Sequence, residues 1–136
     1  MASPNHSNAM SNFNGNVPVS TLQVAEFEEL TGVHLPNEYS DFLQSCNGGE
    51  GFIGPNAYVI FWQLGELMEM NTAYEVEEYA PGLFLFGSDG GGDAFAFDMR
   101  NPSKPIVSVP FVGMELELAK PMGDNFLDFI EKLSRM

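Results

Sequence analysis

The residues best suited to ligand chemistry form a glycine-rich segment, residues 87–93, with the sequence Gly-Ser-Asp-Gly-Gly-Gly-Asp. Glycine-rich loops can bind a phosphate through their backbone N–H groups. A P-loop also needs a Lys followed by Ser or Thr, and a dinucleotide fingerprint needs a helix after its glycines. Here the glycines precede Phe95, Phe97 and Met99, whose alternation with other residues is typical of a strand. The segment is therefore interpreted as a tight connection between strands rather than a phosphate site.

Three aspartates in and after this segment, Asp89, Asp93 and Asp98, carry the oxygen ligands that hard cations such as Ca²⁺ prefer. Their spacing differs from that of an EF-hand, in which acids occupy alternate positions and a Glu follows at the twelfth. We therefore predict no metal site and no cofactor. A small metal-dependent hydrolase that uses these carboxylates is the least favoured alternative, because the sequence identifies neither a general base nor a pocket for it.

Nucleophilic catalysis would need a nucleophile beside a histidine that a third group orients. Cys46 is the single cysteine, and His34 is the one histidine outside the N-terminal stretch. Cys46 falls on the apolar side of a predicted helix, which favours a small core residue. A single cysteine also excludes an internal disulfide framework and a zinc site built from several cysteines. The sequence therefore predicts no catalytic residues and a protein that is not an enzyme.

Charge is distributed unevenly over the 136 residues, a length that suits one domain. The chain has 19 acidic and 5 basic residues, a formal charge of -14, and no Lys or Arg precedes Arg100. Such a surface repels phosphate, which argues against binding to nucleic acid or to an anionic membrane. A basic protein partner fits this charge, although the same excess of acids can serve only to keep a protein soluble.

One segment concentrates acidic side chains with no Lys or Arg nearby in the sequence. Its glutamates are the candidate partner-binding residues: Glu66, Glu69, Glu75, Glu77 and Glu78. A patch of one sign can steer a partner of opposite charge, but most such runs are simply solvated faces, and both interpretations stay open. Tyr58 and Trp62 are the other candidate anchors, with burial in the core as their alternative.

The elements that must position these residues begin after an Asn-rich stretch. The first 19 residues contain few apolar side chains, so we predict a disordered tail there and one ordered domain over residues 20–136. A first helix is expected to begin after Ser20, with Gln23 completing a capping box. It is expected to end at Gly32, with Leu30 on its buried side.

Pro36 suits the first turn of a second helix, whose apolar positions recur at helical spacing up to Cys46. Glycines predict a loop over 48–55, and helical spacing returns over 64–79. Apolar runs predict strands at 58–62, 83–86, 95–99, 106–111 and 114–118. A final helix is expected from about Asp124. The predicted fold class is α+β. It is a single domain in which about five antiparallel strands are packed by helices from the N-terminal part and by a C-terminal helix.

Two groups of residues carry a family pattern. The first group comprises Leu35, Pro36, Tyr39, Asn47, Gly48 and Gly49, and the second comprises Gly87, Asp89, Gly90, Gly91, Gly92 and Asp93. Their order and separation resemble the two signatures of the SUKH superfamily, over about residues 20–134. The resemblance implies an α+β fold and a binding protein rather than an enzyme. It also implies that the signature residues determine turns of the fold.

Many bacterial members of this superfamily are immunity proteins that bind and neutralise a polymorphic toxin, often a nuclease. The resemblance therefore implies a protein partner, and a basic toxin domain is the first hypothesis. The alternative is a scaffold or regulator that binds a host protein, as the fungal relative of the superfamily does. The N-terminus lacks the basic and apolar regions of a secretory signal, so we expect a cytoplasmic location.

Overall fold

A single antiparallel sheet organises residues 10–136, which are the residues that the computed structural model describes. Each of its seven strands pairs with the next strand of the chain, so the order in the sheet is the order in the sequence. The strands are β1 (Asn12–Gly15), β2 (Gly49–Ile53), β3 (Ala57–Phe61), β4 (Leu83–Ser88), β5 (Asp93–Asp98), β6 (Ile106–Pro110) and β7 (Lys120–Gly123).

Helices lie before, between and after these strands. They are α1 (Thr21–Thr31), α2 (Asn37–Leu43), α3 (Leu67–Ala73), α4 (Val76–Tyr79) and α5 (Phe126–Ser134), with 3-10 turns at Leu64–Glu66 and Leu116–Leu118. None of the helices in the described part of the chain combines the length and the hydropathy that crossing a bilayer requires. The predicted α+β fold, with an antiparallel sheet and a C-terminal helix, is confirmed.

An aromatic core joins α2 and α5 to one face of the sheet. Tyr39 of α2 lies 5.0 Å from the ring of Phe97, which stacks on Phe86 at 4.5 Å. Phe126 and Phe129 of α5 contact the same group of rings, and all five side chains are buried. Rings at these separations attract each other, and this attraction adds to the stabilisation that comes from burying their apolar area. This core therefore fixes both helices on the sheet.

The opposite face of the sheet is covered over the central strands and open over the first three. Leu85, Ala96 and Val107 share one row of that face, and all three are buried. On β2, by contrast, Phe52 keeps 41% of its surface exposed although it lies on the same sheet. Within residues 10–136, this face of the sheet therefore stays partly open over β1, β2 and β3.

Three strands, β1, β2 and β7, lie where the sequence predicted none, so the prediction of about five strands was wrong. β1 lies within the predicted disordered tail, and the part of that prediction that concerns residues 1–9 falls outside the described residues. β2 occupies most of the predicted loop. Gly49 and Gly51 have positive φ, and a side chain at either would clash with β1. A Cβ on Gly49 would lie 2.2 Å from the carbonyl oxygen of Asn14, and one on Gly51 would lie 2.4 Å from that of Asn12. Glycine thus permits a close pairing of β1 and β2. The sequence analysis missed this pairing because glycine-rich segments are usually loops.

The strand predicted at 114–118 was also wrong. Its Met-Glu-Leu-Glu-Leu alternation forms a loop and a 3-10 turn, and Leu118 leaves 45% of its surface exposed. The last strand is β7, in which Pro121 pairs with Val107. Proline is tolerated there because β7 is an edge strand that needs no N–H on its free side. The alternation therefore did not correspond to one buried face.

The observed helix ends agree better with those predicted from the sequence. The Ser20 side chain accepts from the backbone N–H of Gln23, the Gln23 side chain accepts from that of Ser20, and Gly32 ends α1 in a left-handed conformation. Leu30, however, is 86% exposed, so it does not belong to the buried side of α1. Helix α5 is capped by Asn125 rather than Asp124, because the Asn125 side chain accepts from the N–H of Asp128.

Candidate functional site

The glycine-rich connection between β4 and β5 is held by its own side chains. One oxygen of Asp89 accepts from the N–H groups of Gly91 at 2.8 Å and Asp93 at 3.2 Å. The Ser88 hydroxyl accepts from the N–H of Gly90 at 3.0 Å. These N–H groups, which would have to bind a phosphate, are therefore already engaged, and two carboxylates lie beside them. The geometry is that of a self-capped turn.

Asp98 lies at the other end of β5 from this turn. The strand separates it from Asp93 by about 17 Å, so the three aspartates of the candidate cation site are not brought together. Arg100 binds both carboxylate oxygens of Asp98, with Nε at 2.9 Å and Nη2 at 3.0 Å. Within residues 10–136, no three His, Cys, Asp or Glu side chains form a group that could hold a metal ion. The arrangement gives the metal-dependent hydrolase no support.

The Asp98–Arg100 pair predicts a pH dependence. Hydrogen bonds from Arg100 lower the pKa of Asp98 below its usual value, and partial burial opposes this shift. A carboxyl group with a lowered pKa stabilises the fold above its unfolded pKa of about 3.9, and this contribution is lost as pH falls through the folded pKa. We expect Asp98→Asn to lower stability at neutral pH and to have a smaller effect near about pH 3. Urea unfolding at both pH values measures this, and equal effects would contradict it.

Cys46 and His34 do not form a catalytic pair with a third residue. Cys46 lies beyond the end of α2, is half-buried, and packs so closely that a Cβ on Gly15 would lie 2.7 Å from its own Cβ. Burial raises the pKa of the Cys46 thiol to about 11, which disfavours the reactive thiolate. The backbone oxygen of His34 accepts from the Nζ of Lys104 at 2.6 Å. These contacts are structural.

The first signature joins β3 to the acidic segment. The Asn47 side chain accepts from the N–H of Leu64 at 2.7 Å, which is where the chain turns from β3 into the first 3-10 turn. Gly48, with φ +72, lies against the end of the same strand, because a Cβ there would lie 2.4 Å from the carbonyl oxygen of Phe61. Leu35 and Tyr39 are buried in the core, and Pro36 is the N-cap of α2. Asn47 and Gly48 thus position the start of the segment that carries the glutamates.

All five candidate glutamates are exposed, but they do not surround one cavity. Glu75, Glu77 and Glu78 line a groove of about 580 Å³ beside α3 and α4, here called the acidic groove. Glu66 lines a different groove, and its carboxylate accepts from the N–H of Gln63 at 2.9 Å. Glu69 belongs to neither groove. The acidic groove therefore brings together three of the five glutamates of the predicted patch.

The acidic groove combines negative charge with apolar surface. Met68 lines it, and Tyr79 beside it is 52% exposed. The charges of Glu78 and Glu75 raise the pKa of the Tyr79 hydroxyl, which reflects the negative potential at this end of α4. Exposed aromatic and methionine side chains are enriched in protein interfaces, so this combination suits a protein partner with a positive surface.

Two basic residues lie near residues that line the acidic groove, and both are engaged. Lys104 donates to the backbone oxygen of His34, next to Val33 of the groove lining. Arg100 lies against Gly82, and its guanidinium binds Asp98. Neither residue forms an ion pair with the glutamates of the groove. The charge of those glutamates is therefore available to a partner.

Asn71 is a positioning residue that the sequence did not reveal. Its side chain donates to the backbone oxygens of Leu67 at 2.8 Å and Leu85 at 2.9 Å, and it accepts from the N–H of Leu85 at 2.8 Å. β3 pairs with β4 only from Ile60 and Phe61, so Asn71 takes the place of a strand partner for Leu85. It thereby ties α3, and the acidic groove, to the sheet.

We expect Asn71→Ala to lower the free energy of unfolding by about 2–3 kcal/mol, because it leaves a buried N–H and a buried carbonyl oxygen of Leu85 without their partner. Thr72→Ala is the control, since Thr72 is exposed on the same helix and should change stability by less than about 0.5 kcal/mol. Chemical denaturation of both variants tests this. An Asn71→Ala variant with an unchanged free energy of unfolding would show that Asn71 does not hold α3 on the sheet.

Tyr58 and Trp62 line the second groove. This groove lies over the open part of the sheet, on β1, β2 and β3, and is here called the sheet groove. Its volume is about 730 Å³, and its lining includes Glu50, Phe52, Tyr58, Ile60, Trp62 and Glu66. Trp62 is buried and its ring stacks on Tyr74, whereas Tyr58 is half-buried and donates its hydroxyl hydrogen bond to Glu50. Trp62 is therefore a wall of this groove, and Tyr58 is the more accessible of the two.

This architecture belongs to the α+β class of proteins. The described residues form an antiparallel sheet in chain order, with an aromatic core on one face, and they line the acidic groove and the sheet groove. A model of the SMI1 / KNR4 family (SUKH-1) matches residues 18–132, and the chain belongs to this family. The match covers most of the chain and confirms the resemblance found in the two signatures. A search of curated proteins found no match to the chain.

Proposed function

We propose that this chain is an immunity-type protein that binds and neutralises a basic toxin domain through its acidic groove. The observation that carries the proposal is the grouping of Glu75, Glu77 and Glu78 around one groove that Met68 also lines. The exposed ring of Tyr79 follows Glu78 directly in the chain. Domains of the SUKH family are generally non-enzymatic immunity proteins, and membership of that family supports the same conclusion.

The mechanism is occlusion without turnover. A nuclease toxin must carry a basic cleft to bind its substrate, because nucleic-acid binding depends on Lys and Arg that neutralise phosphates. A groove lined by three carboxylates competes for that cleft, and the formal charge of -14 accelerates the encounter. The aromatic and methionine side chains then supply contact area at short range. We place this action in the cytoplasm, where such a toxin would reach its target.

Affinity capture from a lysate of the source cell, at low and at raised salt, tests the proposal. The proteins bound to the full chain are identified by mass spectrometry. A single basic, toxin-like partner whose recovery falls with salt is the expected result, because screening weakens contacts between exposed charges. Several unrelated cellular proteins, or one partner whose binding is indifferent to salt, would contradict the proposal and favour a regulator of host proteins.

A further inference from the structure

The sheet groove has a composition that differs from that of the acidic groove. Its floor is formed by side chains that lie in two register rows across the open face of the sheet, one with Asn12, Phe52 and Tyr58 and the other with Asn14, Glu50 and Ile60. Trp62 extends the apolar part, and Glu66 adds a second carboxylate. No Lys or Arg is found among the described residues that line it.

The carboxylate of Glu50 is held beside an aromatic ring. One of its oxygens accepts from the Tyr58 hydroxyl, and its other oxygen makes no hydrogen bond within residues 10–136. Tyr58 contacts Phe52 edge to face, with ring centroids 5.3 Å apart, and the Gly90 backbone packs on one side of the Tyr58 ring. The hydrogen bond and the packing together limit the positions that Glu50 can adopt. A carboxylate oxygen is thus presented next to aromatic surface.

We propose that the sheet groove binds an arginine side chain carried by an extended segment of the protein partner. A guanidinium is planar, so it can stack on an aromatic ring while it donates hydrogen bonds to a carboxylate in the same plane. The ammonium of lysine has no such plane and is more strongly hydrated. The groove supplies both elements, with Tyr58 and Phe52 as rings and Glu50 as the acceptor.

The strand at the edge of the groove suits the backbone of such a segment. β1 is the first strand of the sheet, so within residues 10–136 one of its sides has no neighbouring strand. No hydrogen bond to another described residue engages the side chains of Asn12 and Asn14, which line the groove. An amide can both donate to and accept from a peptide backbone. This inference rests on the proposed function because it assumes a basic partner, and it adds the chemical class of a second contact.

The test uses the full chain, labelled with ¹⁵N, and the capped tripeptide acetyl-Gly-Arg-Gly-amide as the probe. We expect its NMR titration to shift the amide signals of Asn14, Glu50 and Tyr58 with a Kd in the millimolar range. The same peptide with citrulline in place of arginine keeps the shape and loses the charge. It is expected to bind at least about tenfold more weakly, because charge-assisted hydrogen bonds are the stronger ones. Equal binding of the two peptides would overturn the proposal.

Variants of the chain locate the contact. Glu50→Gln should weaken binding of the arginine peptide about fivefold, the effect of losing one charged acceptor. Glu69→Gln, an exposed acid outside both grooves, should leave it unchanged. Shifts confined to the lining of the acidic groove would overturn the arginine site and leave the proposed function standing. Peptide binding at the sheet groove, in a chain that captures no basic protein, would instead overturn the proposed function.

Discussion

Replacing Glu75, Glu77 and Glu78 together with Lys is expected to slow association with the captured basic partner by about tenfold or more at low salt. The three carboxylates line one groove, so the substitution reverses the charge of the surface that would meet the partner. The dissociation rate should change less, because exposed charges act mainly on the encounter. Surface plasmon resonance at low salt and at about 0.5 M salt measures both rates, and the difference between the variants should shrink at the higher salt.

A control with the same change in net charge separates the acidic groove from the charge of the whole molecule. Glu26, Glu29 and Glu117 are exposed and lie outside both grooves. Their replacement with Lys should slow association much less than replacement of the groove glutamates. If both triple variants slow association equally, the effect comes from the total charge. That result would contradict the proposal that the partner binds at the acidic groove.

Gly48→Ala is expected to lower the free energy of unfolding by about 2–4 kcal/mol. Gly48 has φ +72, which a residue with a side chain adopts at a cost, and its Cβ would lie 2.4 Å from the carbonyl oxygen of Phe61 and 2.6 Å from that of Trp62. Both contacts are to backbone, so no side-chain movement relieves them. Chemical denaturation followed by tryptophan fluorescence measures the loss.

Gly65→Ala is the matched control for this substitution. Gly65 lies in the 3-10 turn that follows, where a Cβ meets nothing within 4 Å. Adding the methyl group there should be neutral or stabilise the chain by about 0.4–1 kcal/mol, because it restricts the unfolded state. A Gly48→Ala variant as stable as Gly65→Ala would show that the signature glycine is not required by the backbone.

The sequence predicted those elements of the fold whose signals are local. The capping box of Ser20 and Gln23 and the apolar face of α5 depend on residues within one or two turns of each other, and both are present. β1 and β2 depend on each other instead. Asn12 and Asn14 look like tail residues, and Gly49 and Gly51 look like loop residues, until the two segments are paired. Pairing of polar and glycine-rich strands leaves no period that a single segment can reveal.

The candidate site was likewise predictable from the sequence only where its signals are local. The exposure of the glutamates follows from their charge, and their crowding is visible in the sequence. The assignment of four of them to two grooves depends on the tertiary positions of the first 3-10 turn, α3 and α4, which long-range contacts determine. Asn71 reaches Leu85 and Asn47 reaches Leu64, across 14 and 17 residues, and neither asparagine lies in a pattern that marks such a role. A hydrogen bond from a side chain to a distant backbone has no sequence period.

The most direct test of the central claim is protection of cells from the captured partner. The partner is expressed from an inducible promoter, alone or together with this chain, and growth is followed. We expect the chain to restore growth, and we expect the variant with Lys at the positions of Glu75, Glu77 and Glu78 to restore it less at equal protein level. Growth arrest that the chain does not relieve, although it binds the partner, would contradict the proposal that this protein neutralises a toxin.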